Sequence, residues 1–143
     1  MPTSTFDQTD LRQTYDEARR LFNDASYDKL GNLFHDDIIY TKLHSSGWYR
    51  GRAKAVTALI EYKSTDNPQF LPYRVEPFLS DGLIQHIAGQ AIWERVKGGP
   101  SHEDIDFIFT FIRNANDGKW LLIDAIGRLI PKQQEEQKTE KNY

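Results

Sequence analysis

Pro68 divides this sequence into two rhythms. Before it, apolar side chains recur every three or four positions, the spacing of one helical face. After it they alternate, the spacing of one face of a strand. Four alternating segments follow: Tyr73 to Leu79, Leu83 to Val96, Asp104 to Arg113 and Lys119 to Ile130. "SDG", "KGGPSHE" and "NANDG" separate them, and each supplies the Gly or Asn that hairpin turns favour. Strands joined by short hairpins pair antiparallel, so this half of the chain predicts an antiparallel sheet.

The N-terminal half predicts three helices and one further strand. Leu11, Tyr15, Ala18, Phe22 and Ala25 fall on one helical face, with Asp10, Arg12, Asp16, Arg19 and Arg20 over much of the remainder. Asp7 or Thr9 is the expected cap. "NDAS" breaks this helix, and Ser26 is placed to cap a short second one carrying Leu30, Leu33 and Phe34. "DIIYTKLH" is rich in β-branched and aromatic residues and reads as a strand. Its faces are Ile38, Tyr40, Lys42 and His44 against Ile39, Thr41 and Leu43. "SSGWYRG" reads as a turn, and a third helix follows with Ala53, Val56, Leu59 and Ile60 on one face.

Helices gathered on one side of an antiparallel sheet make an α+β layer fold. "DIDFIFTFI" refines this, because both of its faces are apolar: Ile105, Phe107, Phe109 and Phe111 on one, Ile108 and Ile112 on the other. A strand apolar on both faces is covered on both. The helices cover only one, so a second copy of the chain is expected on the other, giving a homodimer. Residues 1–131 form a single domain in this reading, followed by the polar tail 132–143.

Composition removes several function classes. Eighteen Lys plus Arg against 21 Asp plus Glu leave a net charge of −3, which argues against a nucleic-acid partner. The absence of cysteine excludes disulfides and thiolate chemistry. No apolar run approaches the ~20 residues of a membrane span, and the polar first ten residues do not resemble a signal peptide. A cytoplasmic protein without a membrane partner is the expectation. There is no HExxH, P-loop or Gly-rich dinucleotide fingerprint, so neither a metal nor an organic cofactor is expected.

The order of elements, with the stretches "FNDASYDKLGNLFHDDIIYT", "GWYRGRAKAV" and "DGKWLLIDA", resembles the nuclear transport factor 2-like superfamily, in particular its SnoaL-like and ketosteroid-isomerase-like branch. The resemblance runs from about Leu11 to Ile130. It implies a cone-shaped domain with three N-terminal helices on a curved antiparallel sheet, a deep pocket between them, and frequent dimers. The superfamily includes isomerases, polyketide cyclases, dehydratases, epoxide hydrolases and non-catalytic binding modules, so the fold does not name an activity. Alignment on Leu33-Phe34-x-Asp36-Asp37 places Lys42 where ketosteroid isomerase has its aspartate base, and Ala18 where it has its oxyanion tyrosine. Steroid isomerisation by that apparatus is therefore excluded.

Tyr40, Lys42 and His44 remain as a stripe at the parity that lines the pocket in similar proteins. Imidazole suits proton transfer near neutrality, and a desolvated lysine serves as base or nucleophile. Asp106 is the matching carboxylate acid, since the family's oxyanion aspartate comes from the same strand. The bulkier stripe Ile105, Phe107, Phe109 and Phe111 competes for the interior, however, and only one set points inward unless a bulge shifts the parity. Tyr15, Trp48, Tyr49, Trp93 and Phe109 are the expected aromatic contacts to substrate, with Trp48 and Tyr49 at the entrance. The plainer readings are a snorkelling Lys42, an exposed His44 at a strand end, and a Tyr40 that only packs. His86 is expected to face outward or into a dimer interface, and Asp124, a charge in an apolar stretch, to be paired or exposed. Two functions compete: a cofactor-free acid–base enzyme of isomerase, cyclase or dehydratase type acting on a small apolar or polycyclic molecule, and a non-catalytic ligand-binding or dimeric interaction module.

Overall fold

The computed structural model describes residues 3–43, 47–78, 82–95 and 101–130; His44 and the tail 132–143 lie outside them. Helix α1 (Thr3–Asn23) is followed by the short α2 (Tyr27–Leu30) and a 3-10 turn (Gly31–Leu33). Strands β1 (Phe34–Thr41) and β2 (Trp48–Arg50) precede α3 (Arg52–Thr65). Strands β3 (Pro68–Phe78), β4 (Ile84–Arg95), β5 (Ser101–Arg113) and β6 (Trp120–Leu129) complete the fold.

Two of these boundaries differ from the sequence reading. Helix α1 starts at Thr3, ahead of the expected caps. Ser26 does precede α2, yet its hydroxyl makes no capping hydrogen bond. The chain turns there on Ala25, which adopts the left-handed φ of 58° while the Ser26 N–H reaches back to the Leu21 carbonyl at 2.9 Å. Asn23 then clasps the sheet from both sides of its amide. It donates to the Phe70 carbonyl at 2.9 Å and accepts from the Phe70 N–H at 2.7 Å, tying α1 to β3.

The six strands form one sheet in the order β2-β1-β6-β5-β4-β3. The hairpins β3–β4, β4–β5 and β5–β6 are antiparallel, as their turns require. The sheet is nonetheless mixed, because β1 runs parallel to β6. Hairpin logic governs neighbours in sequence, and this pair joins the two ends of the chain. "WYR", expected within a turn, forms the short edge strand β2 against β1.

Besides a register shift between β1 and β6, two irregularities in the hairpins bend the sheet. In β3 the pairing steps from Pro72↔Ala91 to Arg74↔Gln90, leaving Tyr73 as an extra residue. Beside it, a Cβ on Gly89 would lie 1.8 Å from the Arg74 carbonyl oxygen, so only glycine permits that approach. In β6 the pairing steps from Phe111↔Leu122 to Thr110↔Asp124, leaving Ile123 as the extra residue. This second bulge reverses parity along β6. Leu122 faces inward, whereas Asp124 joins the outer face.

The core lies between the helices and the inner face. Leu11 and Tyr15 of α1 are buried there with Ile87, Ala91, Phe107, Phe111 and Leu122 of the sheet. Burying each large apolar side chain stabilises the fold by roughly 1.5–3 kcal/mol. Helix α3 presents Ala55, Ala58, Leu59 and Tyr62, not the expected stripe through Ala53 and Ile60; Ile60 is exposed. The large phenol of Tyr62 sets the rotation of this helix, and its hydroxyl hides it from a count of apolar residues.

Candidate functional site

A cavity of about 100 Å³ opens between α1 and the inner face of the sheet. That is on the order of the space one small ring occupies. Its walls combine Tyr15, Ala18 and Phe22 of α1 with Tyr40 of β1 and the β5 side chains Ile105, Phe107, Phe109 and Phe111. Alternation along β5 puts these four on one face, and the helical spacing of α1 brings Tyr15, Ala18 and Phe22 over them. The rings pack directly. Tyr15 stacks on Phe107 with centroids 6.4 Å apart, and Phe70 meets Phe107 edge-on at 4.9 Å.

Polar groups in this wall are few: the phenols of Tyr15 and Tyr40, the Arg19 guanidinium, the Thr41 hydroxyl and the Trp93 indole. The Tyr15 hydroxyl is buried without a hydrogen-bond partner. Burial pushes its pKa up to about 12, although the Arg19 and Arg12 guanidiniums pull it partly back. Tyr40 is displaced further upward by burial, with Tyr62, Tyr27 and Tyr49 adding to the effect. Tyr27 and Tyr62 are each pushed up to about 12 by burial; the Tyr27 hydroxyl has no partner, and the Trp93 indole N–H of the cavity wall pulls the Tyr62 value partly back. A phenol in such surroundings stays protonated at neutral pH. It can donate to an oxygen of a bound molecule, but it cannot accept a proton as a base.

The structure brings some of the expected site residues together and separates others. Tyr15, Tyr40, Trp93 and Phe109 all line the cavity. Tyr49 stands behind Tyr40, ring on ring at 6.0 Å, and supports it from the edge strand. Lys42 is not in the wall; its Nζ lies 4.7 Å from the Tyr62 ring centroid, a cation–π contact. Trp48 is 60% exposed and stands outside the wall. Asp106 corrects the reading of β5. It alternates with the inward-facing Ile105 and Phe107, and so points to the outer face, where Arg128 holds it at 3.0 Å and Gln90 donates to it. His44 lies outside the described residues.

Thr41, Leu43 and Arg19 line the cavity without having been singled out. Arg19 was legible, since it follows Tyr15 by one helical turn. Thr41 and Leu43 were assigned to the opposite face of β1 from Tyr40. The strand ends at Thr41, and beyond it strict alternation no longer applies. Among the described residues, the wall contains no carboxylate and no imidazole.

No protein-family model matches the chain, and no curated protein matches it by sequence. Solved structures do match over nearly its whole length. A protein with a cystatin-like fold from Caulobacter vibrioides superposes with a TM-score of 0.79 at 10% identity, covering 95% of this chain and 98% of its own. A candidate dehydratase of the NTF2-like family from Streptomyces avermitilis gives 0.77 at 10% identity, covering 92% and 99%. The chain has the nuclear transport factor 2-like, cystatin-like fold. A third structure with this fold, described as a candidate calcium/calmodulin dependent protein kinase II association domain from Xanthomonas campestris, gives 0.74 at 17% identity and covers 85% and 86%. At these identities the likeness establishes the NTF2-like architecture; the cavity's own residues carry the rest.

Proposed function

We propose that this protein binds a small, mainly apolar molecule of about one ring, bearing an oxygen that accepts a hydrogen bond. The carrying observation is the aromatic cavity with the buried, unpartnered Tyr15 hydroxyl in its wall. A buried polar group without a partner costs about 1–3 kcal/mol, which a ligand carbonyl or hydroxyl would recover on binding. Titration with single-ring aryl ketones, followed by Trp93 fluorescence, tests this. Tyr15→Phe is expected to weaken the ketones about tenfold while leaving the matching hydrocarbons unchanged. Equal loss for both ligand series, or no binding by either, would sink the reading.

A second reading, turnover by cofactor-free acid–base chemistry, is favoured by one arrangement. The Lys42 ammonium lies over Tyr62, and Tyr40 is close enough to feel Tyr62 electrostatically. One of the matched NTF2-like structures is described as a candidate dehydratase. Isomerisation, cyclisation or dehydration would each use a phenol as donor and, as base, a Lys42 amine that has given up its ammonium proton and swung from the Tyr62 ring into the cavity. Product formed without added cofactor, lost in Lys42→Met with ligand binding retained, is the outcome that supports it.

The outer sheet face supports a homodimer. Ile84, Ile108 and Ile126 are all exposed on it, and Ala88 pairs with Ile108 between them. A similar structure is described as an association domain. Sedimentation showing only monomer at micromolar concentration would overturn the dimer. No helix among the described residues is long and apolar enough to cross a membrane.

A further inference from the structure

The outer face carries one polar row between apolar ones. His86 on β4, Thr110 on β5 and Asp124 on β6 are in direct register across three neighbouring strands. On one side run Ala88, Ile108 and Ile126; on the other run Ile84, Ile112 and Leu121. His86 Nδ1 lies 2.9 Å from the Thr110 hydroxyl. When that hydroxyl donates to Nδ1, the imidazole carries its hydrogen on Nε2. Asp124 has a carboxylate oxygen, Oδ1, that is buried without a hydrogen-bond partner. The row is thus lopsided: an imidazole at one end, a carboxylate with no side-chain partner at the other, and a small hydroxyl in the middle.

Neighbouring strands are about 4.8 Å apart, so His86 and Asp124 sit at roughly equal distances on either side of Thr110. A two-fold axis lying between two facing sheets, running along β5 and passing over Thr110, sets each of those two positions opposite the other. In an isologous interface residue i meets j and j meets i. We propose that the outer face closes on a second copy of this chain about that axis, with His86 of each chain donating to the partner's Asp124. This rests on the dimer reading above and adds its register. The apolar rows supply the buried area, while the two His86–Asp124 pairs fix how the faces align.

The rest of the face is suited to this centre. Toward the far ends of β5 and β6, Asp106 is already paired with Arg128 and Gln90, and Asp104 accepts from Tyr73. Asp124 is flanked on β1 by Ile39, which pairs in turn with the exposed Arg50 of β2. Asp37, also exposed, lies two residues from Ile39. Arg50 and His86 thus lie two strands from Asp124 on its opposite sides. In the single chain, burial raises the Asp124 pKa, and the Ala125 backbone N–H and then His86 offset part of that rise. A second imidazole from the partner favours the anion further. Association accordingly strengthens as pH rises through the raised Asp124 value and weakens as pH falls through it.

Two variants of the full chain test the register. His86→Asp places acid against acid at both contacts, and Asp124→Lys places cation against imidazole. Each alone is expected to raise the dimer dissociation constant at least about tenfold in sedimentation equilibrium. An equimolar mixture is expected to recover a heterodimer within about threefold of wild type, because both contacts become complementary. The double variant His86→Asp/Asp124→His supplies the same swap within one chain, and covers the case in which Asp124→Lys does not fold. A wild-type monomer would overturn the dimer and the pairing together. A wild-type dimer unmoved by His86→Asp, or a loss rescued by neither the mixture nor the swap, would overturn the pairing and leave the dimer standing.

Discussion

The two faces of the central strands differ in how they treat polar groups. On the inner face the cavity's phenols stay neutral because burial raises their pKa values, and the Tyr15 hydroxyl is left unpaired. On the outer face they are mostly carboxylates, guanidiniums and an imidazole, and most are paired: Asp106 with Arg128, Arg74 with Glu76, His86 with Thr110. Asp124 is the exception. Neutral donors tolerate a dry wall, whereas ions there would need partners. The cavity wall is therefore mostly neutral, while the outer face carries most of its charges in pairs.

Gly89 is the harshest test, because both faces depend on the curvature it permits. Gly89→Ala forces a Cβ into the Arg74 carbonyl. Overpacking of this kind costs typically 1–3 kcal/mol; here the obstacle is backbone, so the upper end or outright loss of folding is expected by thermal denaturation. Next in size is the contrast between adjacent residues of β5. Phe107 is 4% exposed and Ile108 37%. Phe107→Ala should cost about 3–5 kcal/mol, while Ile108→Ala should cost the isolated chain about 0.5 kcal/mol and instead weaken self-association. Urea melts at low and high protein concentration separate the two. Equal costs would erase the distinction between the faces.

A smaller effect follows from the phenols. Tyr15, Tyr27 and Tyr62 are each raised from 10.0 to about 12. A group whose proton is held more tightly in the folded state contributes stability below its unfolded pKa and loses it as pH rises through the folded value. Stability should therefore fall between pH 10 and about 12. Absorbance of tyrosinate and circular dichroism should change together; ionisation well ahead of unfolding would contradict the buried cluster. Smallest of all is Asp124→Asn. Because burial raises the Asp124 pKa, the ionised form costs stability above that value. The variant should be slightly more stable than wild type at neutral pH, and the gain should vanish as pH falls through the raised value. A variant less stable than wild type in the monomer at neutral pH would show that the carboxylate is satisfied within the single chain.

Period and turn chemistry made much of this architecture readable, since both are local. The face of α1 through Leu11 and Tyr15, the three hairpins, and the aromatic stripe of β5 follow from spacing alone. The parallel pairing of β1 with β6 does not, because nothing local records which distant strand will lie beside it. The site divides in the same way. Tyr15, Tyr40, Trp93 and Phe109 reach the cavity by helical or strand parity. Asp106 was drawn inward by analogy, against the bulkier residues on either side of it. The placement of Asp124 turned on an extra residue at Ile123, and a bulge leaves little trace in an apolar run.

That parallel pairing also sets an order of events. The three hairpins close over short loops, so they can form while the N-terminal segment is still searching. Strand β1, carrying Tyr40, has no place in the sheet until β6 exists. During synthesis β6 is the last of the described strands to emerge. A nascent or refolding chain would therefore hold a formed β3–β5 meander with an open side, and its cavity would acquire its last wall late. Pulsed hydrogen exchange should find the amides of β4 and β5 protected before those of β1.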